Sequence, residues 1–415
     1  MSESTATTDR SSADGPESEG SPEEAGRDFG RLMREITQSD LLVVVFAIFA
    51  AMLLGGLLVV LADKDVLATT GYFFSRPGDF FAAVGGTLSS VFTTMFQGAI
   101  YNTNASDVAV GIRPFTQTLT VATPLILAGL GLGLGFRAGL FNIGAQGQII
   151  IGATVGAYVG FAWDLPVVLH LIVAVVGCVL GGAIWGFIPG FLKARTGAHE
   201  VITTIMLNYI ALNLVSFALS KTAFQRPGST NPQSPLIAET AEYPLILGSA
   251  YNLHLGFLLA LAAAGGVWWL LERSTWGFQF RAVGANPHAA RTAGMSVSKV
   301  YILVMVTAGA LAGLAGSAQI LGTEHSLTAG VAASFGFDAI TVALLGRSRP
   351  LGIVFAALLF GALRAAGPAL QVQAGVPVDI VLVIQSLIVL FIAAPPLVRT
   401  MFRLPAPAHV KEVAA

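Results

Sequence analysis

The chain has 415 residues, 54% of them apolar and 11% charged, with a mean hydropathy of +0.75 and a formal net charge of −1. Soluble domains carry roughly 25% charged residues, so water is not the main solvent of this chain, and the near-neutral balance offers no basic surface for nucleic acid. The lone cysteine, Cys178, excludes an internal disulfide and a Cys-based metal site.

Residues 1–39 read as an acidic cytoplasmic tail. Met1 to Glu24 is rich in Ser, Glu, Asp and Thr, with too few large apolar side chains to offset the entropy of ordering. The segment lacks the basic start and short apolar core of a signal peptide. From residue 40 to 398 the chain reads as one transmembrane domain, because a hydrocarbon core about 30 Å thick needs about 20 apolar residues per helix. The first such stretch is Leu41 to Ala62. The long connection after it contains residues 79–101, where Phe, Leu and Val mix with Ser, Thr and Gly, and this predicts an external amphipathic helix near the interface.

A second span is predicted at Thr116 to Gly135 and a third at Gly147 to Trp163. Between them runs Phe136 to Gln148, FRAGLFNIGAQGQ, in which glycines interrupt the pattern around Asn142, Gln146 and Gln148. Broken backbone at membrane depth is tolerated where protein or a water-filled cavity satisfies it, and uncharged amides offer donors and acceptors to a neutral polar ligand. A tight inner turn is the competing reading of this stretch. Spans at Pro166 to Ile188 and Val201 to Leu219 follow, the latter carrying Asn208 and Asn213 as ligand contacts or as bonds to neighbouring helices. The external loop Lys221 to Asn252, with Pro227, Pro232, Pro235 and Pro244, is expected to be irregular.

A span at Leu253 to Leu271 leads into a cytoplasmic loop, 272–299, that contains a short capped helix. Asn286 suits the N-cap, Pro287 the first helical position and Gly294 the left-handed residue after the end. This helix, Ala285 to Gly294 with His288 and Arg291, is a candidate docking element for a partner. The remaining segments are Val300 to Leu321, a short piece at Phe335 to Leu345, Leu351 to Ala366 and Val378 to Ala394, followed by a cytoplasmic tail at 399–415. Phe335 and Phe337 could stack a planar ring. Whether the short piece crosses or re-enters is left open, since about a dozen residues cannot span a bilayer as a straight helix.

About ten spans with both termini cytoplasmic agree with the distribution of Lys and Arg, of which only Lys64, Arg76, Arg113, Lys221 and Arg226 fall in external loops. Glu200, Glu324, Asp338, Arg364 and Asp379 are the ionisable groups within or beside the spans, and all lie near predicted helix ends. No HExxH, CxxC or GxSxG motif and no phosphate-binding GxxxxGK[ST] loop occurs, so neither catalysis nor a cofactor is expected in this chain.

GLFNIGAQGQ, HEVITTIMLNYIAL from His199, GFQFRAVGANPHAARTAGM from Gly277 and GFDAITVALLG from Gly336 occur in that order. Together they resemble the permease subunits of bacterial ATP-binding-cassette (ABC) importers in the branched-chain amino acid, simple sugar and nucleoside family, nearest its nucleoside branch. The resemblance covers about Arg113 to Pro395; the acidic N-terminal tail is a departure from it. It implies an all-α integral membrane permease in the bacterial cytoplasmic membrane, working by alternating access. Implied partners are ABC ATPase subunits, a second related permease and an external lipid-anchored substrate-binding protein. Asn142, Gln146, Gln148, Asn208, Asn213, Phe335 and Phe337 are then expected to meet a nucleoside or related small polar solute. Ala285, Asn286, Pro287, His288, Arg291 and Gly294 are expected to couple to the ATPase.

Overall fold

Long apolar runs bounded by prolines, glycines and short polar caps fold here as helices. The computed structural model describes residues 40–377 and 379–404; the tail 1–39, Val378 and residues 405–415 lie outside the described residues. In chain order the helices are α1 (Asp40–Ala62), α2 (Lys64–Thr70), α3 (Pro77–Ala99), α4 (Val108–Gly111), α5 (Arg113–Arg137), α6 (Ala145–Ala162), α7 (Val167–Thr196) and α8 (Glu200–Leu219). After strand β1 (Gln233–Leu236) come α9 (Gly256–Arg273), α10 (Thr275–Ala285), α11 (Pro287–Thr292) and α12 (Val297–Gln319). Strand β2 (Ser326–Thr328) precedes α13 (Phe335–Leu345), α14 (Pro350–Gln373), α15 (Asp379–Ala393) and α16 (Pro395–Met401). Proline opens α3, α5, α11, α14 and α16, where its missing N–H costs nothing.

Seven helical stretches among the described residues are long and apolar enough to cross a membrane, and α15 with α16, bent by 93°, makes an eighth if counted as one span. The sequence suggested about ten. The two further segments are α6, whose 18 residues begin with the polar Gln146 and Gln148, and α13, with only 11 residues. Another difference concerns α14, which runs through Pro368 to Gln373 rather than ending near Ala366. Arg364 is therefore inside the helix, about 21 Å along it at the usual rise per residue.

The chain divides into two compact units. In the unit made of the described residues of 1–50 and 390–415, the rings of Phe46 and Phe402 stand 4.5 Å apart. The other unit, Ala51–Val389, has α5, α7 and α12 at its centre. There α7 and α12 cross so closely that a Cβ on Gly182 would lie 2.6 Å from the Cα of Gly313 and nearer still to the carbonyl of Gly309. Small residues permit such contact where lipid supplies no hydrophobic drive between helices. Helix α3 packs along α14, with Gly98 against Ala366 and Ala369, while its Thr87 hydroxyl donates to Asp63 Oδ2 at 2.9 Å.

The loop 221–252 is more ordered than its four prolines suggested. β1 pairs antiparallel with β2, Gln233 facing Thr328 and Leu236 facing Ser326, with an irregularity between them that contains Pro235. A proline lacks the ladder donor, and an irregularity is where a strand tolerates one. Leu327 N donates to Ser234 Oγ at 2.8 Å and Tyr243 N to Leu321 O at 2.8 Å, fastening the loop onto the end of α12.

Candidate functional site

Two helices, α6 and α13, begin inside the bundle, and their N-termini meet. Gln146 in the first turn of α6 donates from Nε2 to the carbonyl of Ala333 at 2.7 Å, and its Oε1 accepts the N–H of Gly336 at 2.9 Å. A Cβ at Gly336 would collide with the backbone of Gln146, so glycine allows this approach. The segment leading into α6 is held by amides. Asn142 Oδ1 accepts from Gly144 N at 2.8 Å, and Asn142 Nδ2 donates to Gln148 Oε1 at 3.3 Å. Across the gap, Asn208 of α8 accepts from Gly147 N at 2.8 Å and donates to Ile143 O at 2.9 Å. Asn208 lies eight residues into α8, about 12 Å from its start, so the junction sits well inside the bundle.

Asn142, Gln146, Gln148, Asn208, Phe335 and Phe337 thus belong to one junction. Asn142, Gln148 and Asn208 are buried with polar atoms committed to the protein itself, Gln146 is half-buried, and Phe337 is 48% exposed. Asn213 stands apart, exposed one turn and a half further along α8. It donates to Tyr209 O at 2.8 Å and lines an open, apolar concavity of about 450 Å³ with Met206, Tyr209, Ile210 and Leu214.

Three more groups belong to the junction: Ser334, which the sequence did not single out, and Asp338 and Arg364, which it placed only near helix ends. Arg364 Nη1 reaches Asp338 Oδ2 at 2.7 Å and Ser334 Oγ at 3.0 Å, and its guanidinium lies 4.2 Å from the centre of the Phe335 ring. The two charges look like helix-end residues when α14 is read as ending at Ala366. Their pairing, 26 positions apart on α13 and α14, leaves no local sequence signal.

Helices α10 and α11 lie in the loop 272–299. Asn286 Oδ1 accepts from His288 N at 3.0 Å and Ala289 N at 3.1 Å, capping α11. Gly294, at φ 84°, takes the left-handed conformation just beyond it. Pro287 opens α11, Ala290 points inward, and Ala285, His288, Ala289 and Arg291 are exposed. Helix α10, which the sequence reading left as loop, sets Gly284 against Arg137 and Ala138 at the end of α5.

Residues 115–393 match the family described as branched-chain amino acid transport system / permease component. A guanosine ABC transporter permease protein of Bacillus subtilis is 39% identical over 291 residues, 68% of this chain and 82% of the relative. A nucleoside ABC transporter permease protein of Lactococcus lactis is 37% identical over 298 residues, 70% of this chain and 81% of the relative. A glucose ABC transporter permease protein of Haloferax volcanii is 36% identical over 286 residues, 67% of this chain and 75% of the relative. No solved structure matches the chain significantly.

Proposed function

Because this chain belongs to the branched-chain amino acid transport system / permease component family, and is thereby a multi-pass membrane transport subunit rather than a catalyst, we propose that it is the permease through which an ABC importer takes up nucleosides. The observation that carries the reading is the α6–α13 junction, where two helix N-termini meet inside the bundle among uncharged amides. Broken helices with ligand groups at such breaks are the usual solute sites of transporters. In this reading Asn142, Gln148 and Asn208 brace the site, Gln146 and Phe337 meet the solute, and Phe335 and Asn213 flank its path. Similarity to guanosine and nucleoside permeases favours a nucleoside, and the glucose permease makes a sugar the competing solute.

The rest of the machine follows from the same reading. Of two ATP-hydrolysing cassettes, one docks on α11 and its flanks through Ala285, Asn286, Pro287, His288, Arg291 and Gly294. A second related permease completes the channel, and an external lipid-anchored binding protein delivers the solute. Both termini face the cytoplasm of a bacterial cell, and alternating access is driven by closure of the cassettes. The test is uptake of labelled guanosine or adenosine into vesicles carrying the assembled complex. ATP-dependent accumulation supports the reading. Transport of a pentose or glucose with no nucleoside uptake replaces the solute, and uptake without any ATP-hydrolysing partner makes the chain a secondary carrier instead.

A further inference from the structure

The charged pair at the junction is not accounted for by the amide framework. Ionisable side chains within spans are costly and persist where they are used. If the pair only fastened α13 to α14, apolar side chains of similar volume would do so at equal or lower cost. The pair is also unsaturated. Arg364 spends Nη1 on both Ser334 and Asp338, and Asp338 receives both Ser334 Oγ and Arg364 on Oδ2 alone. Asp338 Oδ1 and Arg364 Nε and Nη2 have no hydrogen-bond partner among the described residues. The side chains remain 17% and 29% exposed, respectively. The Arg364 guanidinium lies over the Phe335 ring, and the exposed Phe337 is the residue just before Asp338.

We propose that Asp338, Arg364 and Phe337 together read the heterocyclic base of the solute during passage. Asp338 Oδ1 accepts a base N–H, Arg364 donates to the neighbouring ring oxygen or nitrogen, and Phe337 stacks on the base plane. A paired acid and base carry no net charge, which suits a neutral solute and offers an anion no excess of donors. A sugar presents hydroxyls that could satisfy the pair but only a C–H face, without an aromatic plane, to Phe337, so the set favours nucleosides over sugars. This inference rests on the nucleoside reading above and assigns the part of the pathway that recognises the base.

The experiment measures labelled guanosine uptake in vesicles holding the whole complex, with its binding protein saturated so that delivery is not limiting. Two variants are compared with the parent, Phe337→Leu and the double reversal Asp338→Arg with Arg364→Asp, with thermal unfolding as the check on assembly. Base stacking is worth about 1–3 kcal/mol, so Phe337→Leu is expected to slow uptake about fivefold or more. The reversal re-forms a bridge between α13 and α14 but exchanges donor for acceptor, so it assembles and yet transports about tenfold more slowly or worse. Parental uptake in the reversed pair would make the bridge structural and overturn the proposal, as would parental uptake in Phe337→Leu. Should the reversal fail to assemble, Phe337→Leu alone decides. If the parent complex carries sugars and no nucleoside, the functional reading falls and this inference with it; if it carries nucleosides and the variants do too, only this inference falls.

Discussion

Gly336 gives its backbone N–H to Gln146 Oε1 at 2.9 Å, so one side chain on α6 closes the start of α13. The same amide donates to Ala333 O at 2.7 Å, at a residue held at φ 40°. Removing it leaves the part-buried Gly336 N–H without its acceptor, at about 1–3 kcal/mol, while the exposed Ala333 carbonyl can turn to water. Gln146→Leu is expected to lower the unfolding temperature of the purified complex and to cut uptake several-fold, whereas Gln146→Glu, which keeps the acceptor for Gly336, should lose less. Equal unfolding temperatures for Gln146→Leu and the parent would show that the tie carries no weight.

The α7–α12 crossing sets a second expectation. Gly182 faces the backbone of Gly309 and Gly313, and backbone cannot yield as a flexible side chain can. Gly182→Leu should prevent the crossing and leave little assembled complex after detergent extraction. Gly265 on α9 has nothing near its missing Cβ, so Gly265→Ala should be tolerated. Comparable yields of the two variants, read by size-exclusion chromatography, would contradict the packing argument.

Features that depend on local chemistry were legible in the sequence. Twenty-residue apolar runs gave most of the long helices, and Asn286, Pro287 and Gly294 announced α11 because caps act within one turn. The amides and glycine breaks drew attention to 136–148. What was hidden depends on distant partners. Asn208 and Gly147 meet across 61 positions and Asp338 and Arg364 across 26. The end of α14 was misplaced because Gly367 and Pro368 are helix breakers locally, whereas packing against α3 and α5 carries the helix through to Gln373. β1 was hidden for the same reason, since its partner β2 lies beyond α12.

Asn208 carries both of its hydrogen bonds to the segment that starts α6. Asn208→Leu leaves Gly147 N and Ile143 O unpaired in a buried place, so it is expected to reduce thermal stability as well as uptake. Asn208→Asp, which keeps the acceptor for Gly147 but adds a buried charge, should fare no better. Loss of uptake with unchanged unfolding temperature would instead make Asn208 a direct solute contact.

The capped helix α11 gives a test of coupling. Asn286→Ala removes the acceptor for His288 and Ala289, at about 1 kcal/mol for a helix cap. Gly294→Val forces a β-branched residue into φ 84°. Both are expected to let ATP hydrolysis run with less solute moved per ATP, and Arg291, exposed on α11, should crosslink to the ATPase subunit. Crosslinks from Arg347 in place of Arg291 would move the docking surface to the connection between α13 and α14.

His254, just before α9, is buried against the loop that β1 and β2 fasten, and it links stability to pH. Its Nδ1 accepts the N–H of Gly256 at 3.2 Å, so the neutral ring carries its proton on Nε2, which has no hydrogen-bond partner. The ring stacks on Tyr243 at 5.6 Å between centroids, and a Cβ at Gly322 would lie 2.6 Å from it. Burial, and after it the nearby charge of His325, pull the His254 pKa from 6.5 down to about 4. Glu242 Oε1 lies 3.3 Å from His325 Nδ1. Above pH 6.5 His254 is neutral both folded and unfolded and contributes no pH dependence. Between about 6.5 and 4 the unfolded chain binds a proton that the folded one refuses, so stability falls as pH falls, and below about 4 the loss is complete. At about 1.4 kcal/mol per pH unit the full loss is on the order of 3 kcal/mol. Protonation of Nδ1 would also break the bond to Gly256. The unfolding temperature of the complex is therefore expected to drop between pH 7 and pH 5, and His254→Gln, which can still accept from Gly256, should flatten that slope. An identical slope in the variant would assign the pH dependence to other groups.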